Sequence, residues 1–187
     1  MASQIDICNR ALIRLGAPTI TSIDDNTKSA KLCKKLYDMV VSEVHGEGPW
    51  SNAVKRVALA QNATAPAFGY DSQYTLPSDL IKVIAINDIT PGDYDHRVEN
   101  GNLLISLDAV SIQYIALLST PGSFGNYLTN SIVDLLSAEM AYAFTGNGSL
   151  ATSLRQNYMS RVRENLAMDN QQGSKDIIQV RDLTDVR

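Results

Sequence analysis

The sequence is poor in the residues that build disulfide scaffolds, metal centres and aromatic stacking platforms. Its 187 residues hold two cysteines, two histidines, one tryptophan and three phenylalanines. Two cysteines are too few for a disulfide framework. Cys8 and Cys33 each fall on the apolar stripe of a predicted helix, so buried free thiols are expected. The histidines, His45 and His96, sit in unrelated segments, and no ligand set for a metal converges. No apolar run approaches the roughly 18 residues that cross a bilayer. The start, Met1-Ala2-Ser3-Gln4-Ile5-Asp6, has no basic region followed by an apolar stretch. A signal peptide is therefore not expected, and folding in the cytoplasm is.

Catalytic motifs are missing as well. The chain contains no G-x-S-x-G elbow, no Walker loop, no dinucleotide fingerprint and no zincin helix. The alternating oxygen ligands, fixed glycine and late glutamate of a calcium loop are also lacking. On these grounds no enzymatic activity and no cofactor are expected.

What the sequence does have is a hydrophobic fraction of 44%, enough for a packed core, with a formal net charge of −4. That charge argues against a protein that grips nucleic acid through its phosphates. Its distribution is uneven. Residues 1–60 carry eight Lys/Arg against six Asp/Glu, residues 61–122 two against seven, and residues 123–187 six against seven. The acidic middle repels DNA at short range, as a surface that DNA slides past would, and an ordinary solvated face has the same composition.

The hydrophobic pattern divides the chain into helical ends and a β-rich middle. Ser3 with Asp6 has the form of a capping box, and Ile5, Cys8, Leu12 and Leu15 follow on one helix face, closed by Gly16 and Pro18. A second helix is expected to begin near Asp24, Asp25 or Asn26, whose side chains cap amides. Ala30, Cys33, Tyr37, Val40 and Val44 make its stripe, and Gly46, Gly48 and Pro49 end it. From residue 53 the period shifts toward two, with strands expected over 54–59, 80–86, 96–98, 103–107 and 110–118 and a short extended piece over 74–77. Asn100-Gly101 between two of these runs is a strong hairpin signal. Beyond Pro121-Gly122 a third helix over 126–144 is apolar nearly all round and should be the most buried element. A fourth, expected to be capped by Ser149, carries Leu150, Leu154, Tyr158, Val162 and Leu166 on one stripe.

Two helices, a sheet insertion and two more helices predict an α+β fold. The expectation is a four-helix bundle formed by both ends of the chain (residues 1–50 and 123–172), a small antiparallel sheet inserted over 51–122, and an extended C-terminal arm over 173–187.

Several clusters invite a chemical reading. Asp93, Asp95, His96 and Glu99 form the one dense titratable group, but acids are common where water solvates the approach to a hairpin turn. Asp134 and Glu139 interrupt the apolar third helix. A neighbouring subunit, solvent, or an arginine of the fourth helix such as Arg155 is expected to satisfy them, in preference to a catalytic carboxylate pair. Lys28, Lys31, Lys34 and Lys35 read as a solvated helix face before a phosphate-binding patch, since no aromatic platform accompanies them. Trp50 after Pro49 reads as a core anchor.

The order and spacing of the N-terminal motifs resemble a family. Asn9-Arg10-Ala11-Leu12, Leu15-Gly16-Ala17-Pro18 and Ile20-Thr21-Ser22-Ile23-Asp24-Asp25 are similar to the opening helix and turn of podovirus tail tubular protein A and its head-to-tail adaptor relatives. The likeness continues through Ala30, Cys33, Tyr37, Glu43, Pro49-Trp50 and residues 53–60. It extends to Tyr74-x-Leu76-Pro77-x-Asp79, and thins to helical pattern alone beyond about residue 125. The resemblance implies a structural virion protein of a short-tailed phage, assembled in the host cytoplasm. It would form a dodecameric ring between the portal and the tail nozzle that passes double-stranded DNA, with no membrane partner and no catalytic residues.

The residues suggest where contacts form. Ile177, Ile178, Val180, Leu183 and Val186 are too apolar for a solvated tail and too few for a core of their own. They are expected to be the partner-binding assembly arm, lying along another chain, as an added strand for example. Two other functions remain open: a head-completion or neck protein of a long-tailed phage, and a cytoplasmic DNA-binding helical domain.

Overall fold

The computed structural model describes residues 3–88 and 95–171. Four helices and six strands follow in the order α1 (Gln4–Arg14), α2 (Lys28–Gly46), β1 (Val54–Leu59), β2 (Ser72–Thr75), β3 (Leu80–Ile86), β4 (His96–Glu99), β5 (Asn102–Ile105), β6 (Val110–Ala116), α3 (Asn126–Thr145) and α4 (Gly148–Asn170).

Local chemistry sets most of the boundaries. At α1 the capping box is complete: the Asp6 amide donates to Ser3 Oγ and the Ser3 amide to the Asp6 carboxylate. The start of α2 differs from expectation. Thr27, not Asp24 to Asn26, is its cap and accepts from the Ala30 amide at 3.2 Å. Asp25 is committed elsewhere, its Oδ2 accepting from the Thr21 and Ser22 amides at 3.1 and 3.0 Å. At α4 the cap is Asn147, which accepts from Leu150, and Ser149 is already inside the helix. Asn100 and Gly101 both adopt positive φ, 47° and 73°, as a two-residue hairpin turn requires, and β4 and β5 pair directly across them.

The expected four-helix bundle with one inserted sheet is not what forms. The strands make two three-stranded antiparallel sheets, ordered β1-β6-β3 and β2-β5-β4. The helices do not close into a bundle either. α3 is the hub on which α1, α2 and α4 pack, while α1 and α2 barely meet. β6 contributes to both hydrophobic clusters but unequally: Val110, Ile112, Tyr114 and Ala116 alternate on one face, while on the other Ser111 is exposed, Gln113 is half-buried and Ile115 is buried. Ile112 and Tyr114 join Tyr74, Leu103 and Ile105 between the two sheets, whereas Ile115 enters the helical core with Trp50, Ala53 and Leu136. The β1-β6-β3 sheet is thus covered by the second sheet on one face and meets the helices on the other at Ile115, near the end of β6. One hydrophobic cluster fills the helical part and reaches Ile115 of the sheet, and the other lies between the two sheets.

α3 has twelve buried residues among its twenty, which its near-continuous apolar sequence explains. Its serines fold back on the helix: Ser131 Oγ donates to the Tyr127 carbonyl and Ser137 Oγ to that of Val133. α4 is the opposite case. Of its 23 residues Tyr158, Val162 and Asp169 are buried, and Leu150 of the expected stripe is exposed.

Candidate interaction site

The helical layer is tied together by carboxylates that the apolar pattern alone would not place. Asp134 of α3 is buried and receives an arginine from each flanking helix, Arg14 of α1 and Arg161 of α4. Arg161 Nη1 donates to Oδ1 at 3.3 Å and lies 3.1 Å from Oδ2, a charge contact without hydrogen-bond alignment at that second oxygen. Nearby, Arg10 donates to Asn130 and Asn165 to Ser131, at 2.8 and 3.0 Å. A buried carboxylate is costly unless paired, and two half-exposed guanidiniums meet that need while fixing α1 and α4 on α3. Between them lies a cleft of about 370 Å³ with Leu154, Asn157 and Tyr158 on its wall.

Glu139 takes the partner expected for it. Arg155 bridges Glu139 of α3 and Glu43 of α2, at 2.5 and 2.7 Å, and Tyr158 donates to Glu47 at 3.1 Å. Burial, then the Glu47 and Glu43 carboxylates, push the Tyr158 hydroxyl above its ordinary range, so it stays a donor. The far end of α4 is latched separately. The Ser51 amide donates to Asp169 Oδ2 at 2.6 Å, and Ser51 Oγ to the Asp169 backbone carbonyl at 3.0 Å. Arg161 is an arginine of the fourth helix, the kind of partner expected for Asp134; sequence reasoning missed Arg14 and Asp169, because nothing local marks partners more than a hundred positions away.

The remaining sequence candidates separate in space. Asp93 lies outside the described residues, as do Ile177, Ile178, Val180, Leu183 and Val186. Asp95 accepts from the Tyr70 hydroxyl at 2.9 Å and Glu99 pairs with Arg97 at 3.4 Å. Among the described residues no group of three or more His, Cys, Asp or Glu is placed to hold a metal ion. Within the lysine face, Lys34 pairs with Asp24, and Lys28 donates to the Ala143 carbonyl and lies over the Phe144 ring. Two of the four lysines are thus occupied in structure. Trp50 is buried and donates to the Val44 carbonyl at 2.8 Å. Cys8 and Cys33 are buried and free, and the neighbouring Cys33 together with burial pushes the Cys8 thiol up.

No family model and no curated protein matches the chain.

Apolar surface is the other property of note. Large side chains stand exposed on every helix, among them Ile13 of α1, Met39 of α2, Tyr142 of α3, and Met159 and Met168 of α4. Phe68, in the loop before β2, is 89% exposed at the mouth of a cleft of about 570 Å³ that also includes Tyr70 and Leu104. The acidic side chains of the β layers face outward: Asp71, Asp88, Asp95, Glu99 and Asp108 are all exposed. Asp79 is the exception, held below the ordinary carboxylate range by Lys55 at 2.7 Å.

His45 joins the layers and makes their packing sensitive to pH. Its Nδ1 lies 2.7 Å from the Val41 carbonyl, so the proton resides there. Nε2 is left to accept the Leu118 amide at 3.4 Å, just past the end of β6. Phe124 meets the ring edge-on at 5.5 Å. Burial lowers the His45 pKa from its ordinary 6.5, opposed by the Val41 bond. The unfolded chain therefore binds a proton that the folded chain refuses. Stability from this group is whole above pH 6.5 and is lost as pH falls from there through the lower folded value. The melting temperature is expected to drop as pH falls below about 6.5, before the carboxylates titrate. His45→Asn should flatten that slope while lowering stability at neutral pH. An unchanged slope in the variant, followed by circular dichroism, would remove His45 as its source.

Proposed function

We propose that this chain is a structural virion protein, a head-to-tail adaptor that forms a ring between the portal and the tail nozzle of a short-tailed phage. The motif order over residues 5–90 supports the reading. The observation that carries it is the surplus of contact surface on an otherwise well-packed core. α4 commits one narrow stripe to α3 and presents the rest of a 23-residue helix, including Met159 and Met168, to the outside. Single exposed apolar residues are ordinary, but large ones on all four helices suit a subunit that is enclosed by copies and neighbours. Ring formation from identical chains requires two different faces on each copy, and the α4 face and the β layers provide distinct ones.

The arm containing Ile177, Ile178, Val180, Leu183 and Val186 supplies the remaining contact in this reading. The outward acids of the β layers suit a conduit that DNA traverses without being held. The test is the mass and shape of the purified protein, alone and mixed with its portal, by light scattering and electron microscopy. Closed rings that dock on the portal are expected, with weak binding of duplex DNA at physiological salt. A protein that stays monomeric at high concentration and with the portal would sink the proposal. Tight duplex binding by the ring would remove the conduit surface.

A further inference from the structure

The last turn of α4 ends beside a groove that the described residues leave open. The groove, about 390 Å³, runs between the turn after α2 and strand β3, with Glu47 and Pro49 on one side, Lys82, Val83 and Ile84 on the other, and Ile115 at its base. β3 is the outer strand of its sheet, and no described strand pairs beyond it. Its register against β6 shifts twice, between Leu80 and Lys82 and between Val83 and Ala85, which leaves Ile81 and Ile84 as extra residues turned toward the helices. Val83 and Ile84 remain only half-buried. An apolar strand edge left in this condition is a site for added chain.

α4 delivers the chain to this place. Leu166 lies so close over Gly48 that a Cβ there would stand 2.3 Å from its Cδ2, and Asp169 is bonded to Ser51 as described above. Gln171, the C-cap, thus leaves the fold beside the turn that forms one wall of the groove. Six steps along the chain bring it to Ile177, a reach of at most about 20 Å. We propose that Ile177 and Ile178 seat in this groove of their own chain, anchoring the arm so that Val180, Leu183 and Val186 are presented to a neighbouring copy. The part concerning the neighbour rests on the ring reading; the anchoring does not.

Two physical arguments favour the chain's own segment over another occupant. A tether this short holds the isoleucines at an effective concentration on the order of millimolar, above that of any free partner. The residues before them, Lys175 and Asp176, offer one charge of each sign to the Glu47 and Lys82 that flank the groove. Two β-branched side chains moved from water into an apolar slot supply the driving force, and the groove's own Val83 and Ile84 are covered in the same step.

The experiment uses the full chain carrying Ile84→Cys and Ile178→Cys, Ile84 being the groove residue on the helix side, under mild oxidation, with the linkage read by non-reducing electrophoresis and peptide mapping. The natural cysteines are buried and stay out of the reaction. An intrachain bond in most molecules is expected. A bond between chains, or none, overturns the anchoring even where rings form, and leaves the ring reading standing. An intrachain bond in a protein that never forms rings keeps the anchoring and ends the ring reading. Hydrogen exchange on the unmodified sequence guards against a misfolded variant. Truncation after Gly173 should speed exchange at residues 82–84 by roughly tenfold or more, and unchanged protection there overturns the anchoring.

Discussion

Truncation after Gly173 is expected to leave a folded monomer that no longer forms rings. The two halves of that result have separate causes. Among the described residues, both hydrophobic clusters are built from side chains between Ile5 and Leu166. Cooperative unfolding should therefore survive, with a melting temperature lowered only by the uncovering of Val83 and Ile84. Assembly should not survive. Fully burying an aliphatic side chain contributes about 1.5–3 kcal/mol, and ordering its backbone costs about 1–2 kcal/mol per residue. Even a net gain of about 3 kcal/mol per arm weakens each interface by more than a hundredfold when lost. Closure of a ring multiplies that loss around its circumference. Light scattering on the truncated protein should give the monomer mass at concentrations where the full chain is ring-sized. A truncated protein that assembles normally would show that the arm is not an assembly element.

Local features were readable from the sequence wherever the chemistry was confined to a few neighbouring residues. The Ser3–Asp6 box and the Asn100-Gly101 turn are complete within four positions, and the burial of α3 follows from its composition alone. Competition between adjacent caps was not readable. Asp24, Asp25, Asn26 and Thr27 are all capping residues, and Thr27 has the role because Asp25 is already bonded to Thr21 and Ser22. Layering was the larger gap. An apolar stripe tells which side of an element faces inward, but not how far its neighbour extends. Leu150 continues the stripe of α4 yet is exposed, and three striped helices with one apolar nearly all round suggested a bundle, when the three pack on α3 instead. The β middle suggested a single sheet because alternation marks a strand's two faces without saying which strands pair, and the strands divide into two sheets that pack on each other through Ile112, Tyr114, Leu103 and Ile105. The candidate site shows the same division. Glu139 with Arg155 could be anticipated from adjacent helices, while Arg14 with Asp134 joins the two ends of the chain across 120 positions.

Trp50→Ala is expected to destabilise the helical core by about 3–5 kcal/mol. Trp50 is 1% exposed and shares its cluster with Val44, Ala53 and Ile115, at the point where α2 gives way to β1. Its indole N–H donates to the Val44 carbonyl at 2.8 Å near the end of α2. Its backbone carbonyl accepts the amides of Ala53 and Val54, which start the strand. Removing the ring opens a cavity between two layers whose backbones are both fixed by these bonds, so collapse should relieve little of the loss. A protein of this size has a total stability of about 5–15 kcal/mol, and each kilocalorie corresponds to roughly 2–4 °C in melting temperature. The variant should therefore melt about 6–20 °C lower. Trp50→Phe separates the two contributions: it keeps much of the packing and gives up the indole donor, for a hydrogen-bond loss of about 1 kcal/mol plus a smaller cavity. The turn that Trp50 anchors is also the one that receives Asp169 and forms a wall of the groove at β3. Trp50→Ala should thus loosen the end of α4 and impair assembly at temperatures where the core is still folded. Denaturant titration measures the stability loss and light scattering the assembly. A stability loss under about 1 kcal/mol would contradict a rigid, fully packed joint between the layers at this position.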